Sequence, residues 1–411
     1  MRKEQGMDGL KIAFWTGGTG MWGEMYPEAL EGDRQLGGVE AALIHVSRGM
    51  AEHGHDVTVF HGDCPRERDY DVQREHPEFK HSPYRWKQAD MYNPRECYDA
   101  LILWDDSSIC QYDPCAHAVI LSAHCNTQPH LRDHYRISWS VMGSEWQRKV
   151  LCQQYRILSI GRSETIHLGV DLSRYEEDIE AIPNRIIYCS SPDRGLHHLL
   201  RIWPQVREQI PDAELHTFYS FGGFERNKWR MDKYASTWWE VRSHLDQPGV
   251  VNHGPIGKQA LAREQKKAAL LAYPSDLYVD GETFGMVVLE CMAAGVPTLI
   301  SDAASLPGVY GDAAAILPRP IEDEHWIAAI VRLLTEKDLR QTYIERGLEF
   351  AREHTWDKAV EAWDKTVRER VRDHRLDIAG GFIPSDDKPM GNIPALGTAQ
   401  TRYPALKQGR P

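Results

Sequence analysis

Apolar positions along the chain follow two rhythms, a short run of four to seven residues and a longer one-sided stripe, and the two alternate. Lys11 to Trp15, "KIAFW", predicts a strand entering the Gly-rich turn "TGGTG". In "GGVEAALIHVSRGMAEHGHDVTVF" the residues Ala42, Leu43, Val46 and Met50 share one helical face, Gly54 supplies a stop, and "DVTVF" reads as the next strand. Residues 64 to 98 are polar and rich in Pro, Arg and Glu, and read as a long excursion suited to a mobile loop. Strands follow at "ALILW" (100 to 104) and "AVILSAH", then a basic stretch, then a polar connection, "SETIHLGVDLSRYEEDIEAIPN".

The alternation then restarts. "RIIYCS" reads as strand, "LHHLLRIWPQVREQ" as helix and "AELHTFYSF" as strand, with a helical insertion around "KYASTWWEVRSHL". "GVVNHGPIG", "AALLAYPS" and "PTLIS" supply further strands, and Glu322 to about Arg372 is helical. Two βα series in one chain predict an α/β protein with two Rossmann-like lobes and a cleft between them. The expected division is 10–170 for the first lobe, joined by a crossover helix at about 355–374, and 183–354 for the second. Residues 377–411, rich in Gly and Pro without periodicity, read as a disordered or draped tail.

Composition narrows the class. Of 411 residues, 42% are hydrophobic and 26% charged, the balance of a folded globular chain. No apolar run reaches the ~18 residues of a membrane span, and the first residues lack a signal-peptide pattern, so a cytoplasmic location is expected. A net charge of -12 works against a general nucleic-acid binder. Eight cysteines without regular spacing suggest reduced thiols. Cys110, Cys115, His117, His124 and Cys125 have no zinc-type spacing and read as core thiols and non-ligand histidines. Asp105 and Asp106 in "WDDSS" read as a solvated turn at a strand end, so no metal site is assigned.

Two carboxylates stand out. Glu282 lies in a Gly-flanked loop before a helix expected to start near Phe284, whose residues Phe284, Val287, Val288, Cys291 and Met292 form a stripe that leaves Glu290 outside it. From spacing alone they read first as a cap and a solvated charge, and otherwise as acceptors for ligand hydroxyls.

The stretch "ETFGMVVLECMAAGVPTLIS" resembles the donor-binding signature of family-four glycosyltransferases of the GT-B fold, with two Glu residues separated by seven others. "GGVEAALIHVSRGMAEHGHDVTVF" is similar to that family's amino-terminal loop and helix, "HLGVDLSRY" to its interdomain segment, and "AYPSDLYVDGETFG" to the donor-site entry, in the same order over about residues 11 to 370. The resemblance implies that Glu282 binds hydroxyls of the transferred sugar and Glu290 the ribose of a nucleotide. Arg194, in "CSSPDRGLHHLL", falls where the family carries a phosphate-binding Lys. Ser190 and Ser191 stand near a second basic position that this chain lacks, with Lys258 or Arg263 as candidate replacements. Phe284, Gly285 and Gly38 line the donor site, and His124, in "ILSAHCN", falls where relatives place a His against the donor sugar.

The activity so implied is metal-independent, retaining transfer of a hexose-type sugar by front-face attack. The donor is a nucleotide-sugar, UDP- or GDP-linked, with no permanent cofactor, and the acceptor is a glycan, lipid-linked saccharide or other hydroxyl. A catalytically degenerate scaffold stays open, because Gly308 in "LPGVYG" stands where relatives often have Glu; a sugar-nucleotide epimerase or phosphorylase fits the motifs less well. Residues 147–162, "QRKVLCQQYRILSIGR", carry four basic residues and no acid. They read either as an ordinary amphipathic helix or as a peripheral contact with the inner face of a membrane.

Overall fold

The computed structural model describes residues 9–17, 27–33, 35–62, 70–71, 83–128, 131, 136–277 and 281–379. The first lobe runs β1 (Lys11–Trp15), α1 (Gly38–Glu52), β2 (Asp56–His61), β3 (Tyr70–Asp71), β4 (Tyr84–Gln88), β5 (Tyr98–Trp104), β6 (Ala116–Ala123), β7 (Trp139–Met142), α2 (Glu145–Gln154) and β8 (Ser163–Thr165). Among the described residues its sheet has the order β3-β4-β2-β1-β5-β6-β7-β8, parallel except where β3 meets β4. The period of two explains why β1 is apolar throughout: Ile12 and Phe14 enter the core beneath α1, while Ala13 and Trp15 enter a second core with Leu151 of α2.

The second lobe runs β9 (Arg185–Tyr188), α3 (Leu196–Gln209), β10 (Glu214–Thr217), α4 (Phe221–Arg226), α5 (Lys228–His244), β11 (Val250–Asn252), α6 (Lys258–Lys266), β12 (Leu270–Tyr273), α7 (Met286–Ala293), β13 (Thr298–Ser301), α8 (Leu306–Tyr310) and β14 (Ala315–Leu317). Its sheet has the order β11-β10-β9-β12-β13-β14, all parallel. Helices α9 (Asp323–Thr335), α10 (Lys337–Glu353) and α11 (Trp356–Ala379) follow. Both sheets have the doubly wound form that the alternation predicts.

The chain crosses between lobes twice at one place, where the Val170 amide donates to the His354 carbonyl at 2.9 Å. Helix α11 then lies on the first lobe. Val360 packs on Gly49 of α1, Thr366 donates to Glu164 at 2.9 Å, and Arg375 reaches Asp99. The Leu10 amide donates to Nδ1 of buried His55, so Nε2 carries the proton and donates to Asp364 at 2.7 Å.

Two expectations are corrected. The polar stretch 64–98 is not one excursion, because Tyr84–Gln88 pairs in parallel with β2 and buries Tyr84 and Trp86 on alternate positions. Within the stretch 64–98 expected as a mobile loop, residues 64–69 and 72–82 lie outside the described residues, as do tail residues 380–411. The cysteines are not all reduced thiols: Cys97 and Cys115 form a disulfide across the starts of adjacent strands β5 and β6. Cys110, Cys125, Cys152, Cys189 and Cys291 are free.

Burial works against the Asp364 charge, but the bonds from His55 and Arg368 outweigh it and bring the carboxyl down to about 2. Its folded pKa lies below its unfolded one, so its stabilising contribution is complete above the ordinary Asp range and is lost as the pH falls through about 2. Asp364→Asn is expected to cost about 1 kcal/mol at pH 6, allowing for partial exposure. Denaturation midpoints should show the gap to wild type narrowing toward pH 2.5; a constant gap would contradict this origin.

Candidate functional site

Neighbouring strands β9 and β12 end side by side, and the loops beyond their carboxyl ends carry the predicted residues, the usual ligand position in a doubly wound sheet. Tyr273 ends β12 with its ring fully buried; its hydroxyl donates to Glu282 and lies 3.2 Å from the Ser190 hydroxyl. Arg194 Nη1 donates to the same Glu282 oxygen at 2.7 Å. Burial opposes the guanidinium charge, but the Glu282 carboxylate more than offsets it and holds Arg194 above the ordinary arginine range. The Ser191 hydroxyl donates to Asp193, and the Ser191 carbonyl accepts from Tyr188 at 2.7 Å, so this residue braces the loop from both ends.

Glu282 does not cap the following helix. Helix α7 starts at Met286 rather than Phe284, with Gly285 before it at φ 89°, a conformation in which a Cβ would be strained. The Gly285 carbonyl accepts from the Tyr310 hydroxyl at 2.7 Å, and the Phe284 ring is buried against Tyr310 and His167. These two residues therefore fix the helix start from below.

Glu290 is not solvated, and α7 has no wet face: every residue from Val287 to Ala293 is buried. Lys258 Nζ, at the start of α6, lies 2.6 Å from Glu290 Oε1, and both side chains are nearly closed to water at 12% and 11% exposure. Gln265 Nε2 approaches the other oxygen at 3.4 Å, while Gln265 Oε1 accepts from the Tyr175 hydroxyl at 2.9 Å. Of the two cations considered as replacements, Arg263 pairs instead with Glu177 at the surface. Lys258, offered by the sequence as a candidate phosphate cation, pairs with Glu290 instead, and Tyr273, inside the donor-entry segment, is a Glu282 partner that the sequence did not single out.

The first lobe meets this loop directly. Thr283 donates to the His124 carbonyl at 3.0 Å. Gly38, at the start of α1, lies so close to Met286 that a Cβ would come within 2.9 Å of its Cγ. The His124 ring lies tilted against Trp104, its centroid 4.3 Å away, with Nε2 2.9 Å from the Ser122 hydroxyl, and burial lowers its pKa, favouring the neutral imidazole. Asp105 is a buried anchor rather than part of a solvated turn. Its Oδ1 accepts from the His124 and Cys125 amides and from Gln128, at 2.7, 3.0 and 2.9 Å. Asp106 accepts from the Ser108 amide and the Trp15 indole.

His197, His198 and Asp276 bring three potential metal-ligand atoms within 4.8 Å. Arg201 approaches His198 Nδ1 at 3.0 Å, which as an N–H donor requires the lone pair there; Nε2 then carries the proton toward Asp276 at 2.9 Å. In that arrangement His198 relays hydrogen bonds between Arg201 and Asp276. In the basic stretch 147–162, Arg148 is tied to Glu145, Ser163 and the Ile160 carbonyl.

Residues 183–336 match the family Glycosyl transferases group 1. Over 214 residues the chain is 27% identical to an exopolysaccharide phosphotransferase of Streptomyces coelicolor, covering 50% of this chain and 22% of that one. Over 170 residues it is 32% identical to a phosphatidyl-myo-inositol mannosyltransferase of Mycobacterium leprae, covering 40% of each. The chain thus spans less than half the length of either relative. The fold as a whole is that of the Anabaena HepE crystal structure in complex with UDP and glucose, with a TM-score of 0.62 over 88% of this chain and 100% of that one, at 13% identity.

Because Arg194 and Glu282 are largely shielded from water, removing one partner strands the other. Arg194→Met is expected to cost on the order of 3 kcal/mol, and Arg194→Met with Glu282→Gln clearly less than the sum of the singles. Urea denaturation of the four proteins gives the coupling, and additive losses would show that the pair does not act as a unit.

Proposed function

We propose, on the premise that residues 183–336 belong to the group 1 glycosyl transferases, that this chain moves a hexose-type sugar from a UDP- or GDP-linked donor to a hydroxyl of a glycan, lipid-linked saccharide or other small acceptor. The observation that carries the reading is the pairing of each motif carboxylate with its own cation, Glu282 with Arg194 and Glu290 with Lys258, where the two lobes meet. A carboxylate holds two neighbouring hydroxyls well because each oxygen accepts more than one hydrogen bond. Glu290 takes the ribose diol, Glu282 the hydroxyls of the transferred sugar, and His124 contacts that sugar through the nitrogen not engaged by Ser122.

In the transfer, the bond between the anomeric carbon and the diphosphate oxygen breaks and a bond to the acceptor oxygen forms on the same face. The acceptor proton passes to the departing phosphate oxygen, so the reaction needs no enzyme nucleophile and keeps the anomeric configuration. Charge developing on the diphosphate is the largest electrostatic demand. Arg194 meets it with a planar fork, Ser190 adds a hydroxyl, and the amino-terminal ends of α1 at Gly38 and α7 at Gly285 direct backbone N–H groups toward it. These donors do the work that a metal ion does in other transferases, and the reading is metal-independent.

A nucleoside diphosphate at 100 times its Kd should stabilise the protein by about 2.7 kcal/mol, and Glu290→Gln should lose most of that response. Thermal shift with UDP and GDP checks binding, and product analysis with the matching hexose donor checks transfer and anomeric configuration. A chain that binds neither nucleotide, or binds without turnover in the presence of varied acceptors, would not be a transferase.

A further inference from the structure

Glu282 is held through one oxygen. Arg194 Nη1 and the Tyr273 hydroxyl both donate to Oε1, and Oε2 takes no hydrogen bond from any described residue. The two donors are mounted differently. Tyr273 ends β12 in register with Ile300 of β13, and its fully buried ring lies 5.9 Å from that of Tyr188 at the end of β9. Arg194 sits in the turn after β9. Gly195, at φ 98°, lets that turn lie against the backbone just beyond Tyr273, where a Cβ would collide with the Pro274 carbonyl. A strand-borne hydroxyl and a loop-borne guanidinium thus reach the same carboxylate oxygen.

The direction of these bonds follows from the groups. An ionised carboxylate only accepts, so the Tyr273 proton is committed to Glu282, and the Ser190 hydroxyl 3.2 Å away donates to the Tyr273 oxygen. Burial first, and then the Glu282 charge, push the phenol well above its ordinary range and keep it a neutral donor.

Under the proposed function Arg194 has two anions to serve. Its bond to Glu282 is the side chain's only hydrogen bond to a described residue, and a diphosphate offers its fork more charge and more acceptor oxygens than one carboxylate does. As the guanidinium turns to the phosphates, Glu282 loses its cation while negative charge arrives beside it. The Tyr273 hydroxyl is uncharged and fixed to the sheet, so it does not follow the phosphates. We infer that Tyr273 is a positioning residue: it keeps Glu282 Oε1 in place when Arg194 turns to the diphosphate, leaving Oε2 as the acceptor for a hydroxyl of the transferred sugar. The inference rests on the reading of Glu282 as the sugar ligand and Arg194 as the diphosphate ligand.

The test uses the full chain, Tyr273→Phe, Glu282→Gln and the double variant. Isothermal titration with UDP and GDP gives nucleotide binding, and release of UDP from UDP-glucose or GDP from GDP-mannose, with water as acceptor, gives turnover. Tyr273→Phe removes one oxygen and keeps the ring packed on Tyr188, and urea denaturation of each variant reports its folding. The nucleoside diphosphate Kd should stay within about threefold of wild type while kcat falls at least about fivefold, because a misplaced sugar costs more in the transition state than in binding. On the Glu282→Gln background the same change should lower kcat by less than about twofold, since its effect passes through that carboxylate. A smaller loss of kcat in the single variant, a further loss of twofold or more in the double one, or a diphosphate affinity that falls in step with kcat would overturn the inference and leave the transferase reading standing. A wild type that releases no diphosphate from either donor would overturn that reading and the inference with it.

Discussion

A carboxylate taken out of water must find donors for its oxygens, and the loops of the second lobe are arranged around that requirement twice. Glu282 draws Arg194 across from the β9 loop and Tyr273 from the end of β12; Glu290 draws Lys258 and Gln265 from α6. Each carboxylate thereby ties together segments far apart in sequence, and the sheet brings those segments within reach. The same contacts preorganise the groups that a polar ligand would meet under the proposed function.

The alternation of the two lobes was legible because it rests on local periodicity. Buried parallel strands such as "ALILW" and "LLAY" are apolar on both faces, and helices such as Leu196–Gln209 carry a clear stripe. Strand β4 was hidden because "YRWKQ" has polar residues between its buried rings and sits in a polar stretch. The Lys258–Glu290 pair, 32 positions apart, had no local signature, and the Cys97–Cys115 disulfide required knowing that β5 and β6 are neighbours. Asp105 looked like a turn residue and does occupy a turn, at φ 55°, but three donors converging on one oxygen make it a buried anchor.

The lobes are joined by more than their connections. Thr283 bonds to the His124 carbonyl, Arg174 to Glu31, and Gly38 lies against Met286, so the face of the second lobe that carries both carboxylates is in contact with the first. A ligand of nucleotide size entering between them would have to part some of these contacts and form new ones, as hinge-type closure does in other two-lobed proteins. At the crossing, the two segments of the connection are bonded to each other through Val170 and His354.

Helix α11 sets the order in which the chain can complete itself during synthesis. Its contacts with Gly49, His55, Glu164 and Asp99 belong to the first lobe, yet it follows every strand of the second. On a ribosome the second lobe, contiguous from β9 to β14, therefore emerges whole while the first still lacks the helix that covers α1 and β6. The amino-terminal lobe, although made first, is the last to be sealed, and until then its apolar face around Gly49 and Met50 depends on the nascent chain for cover.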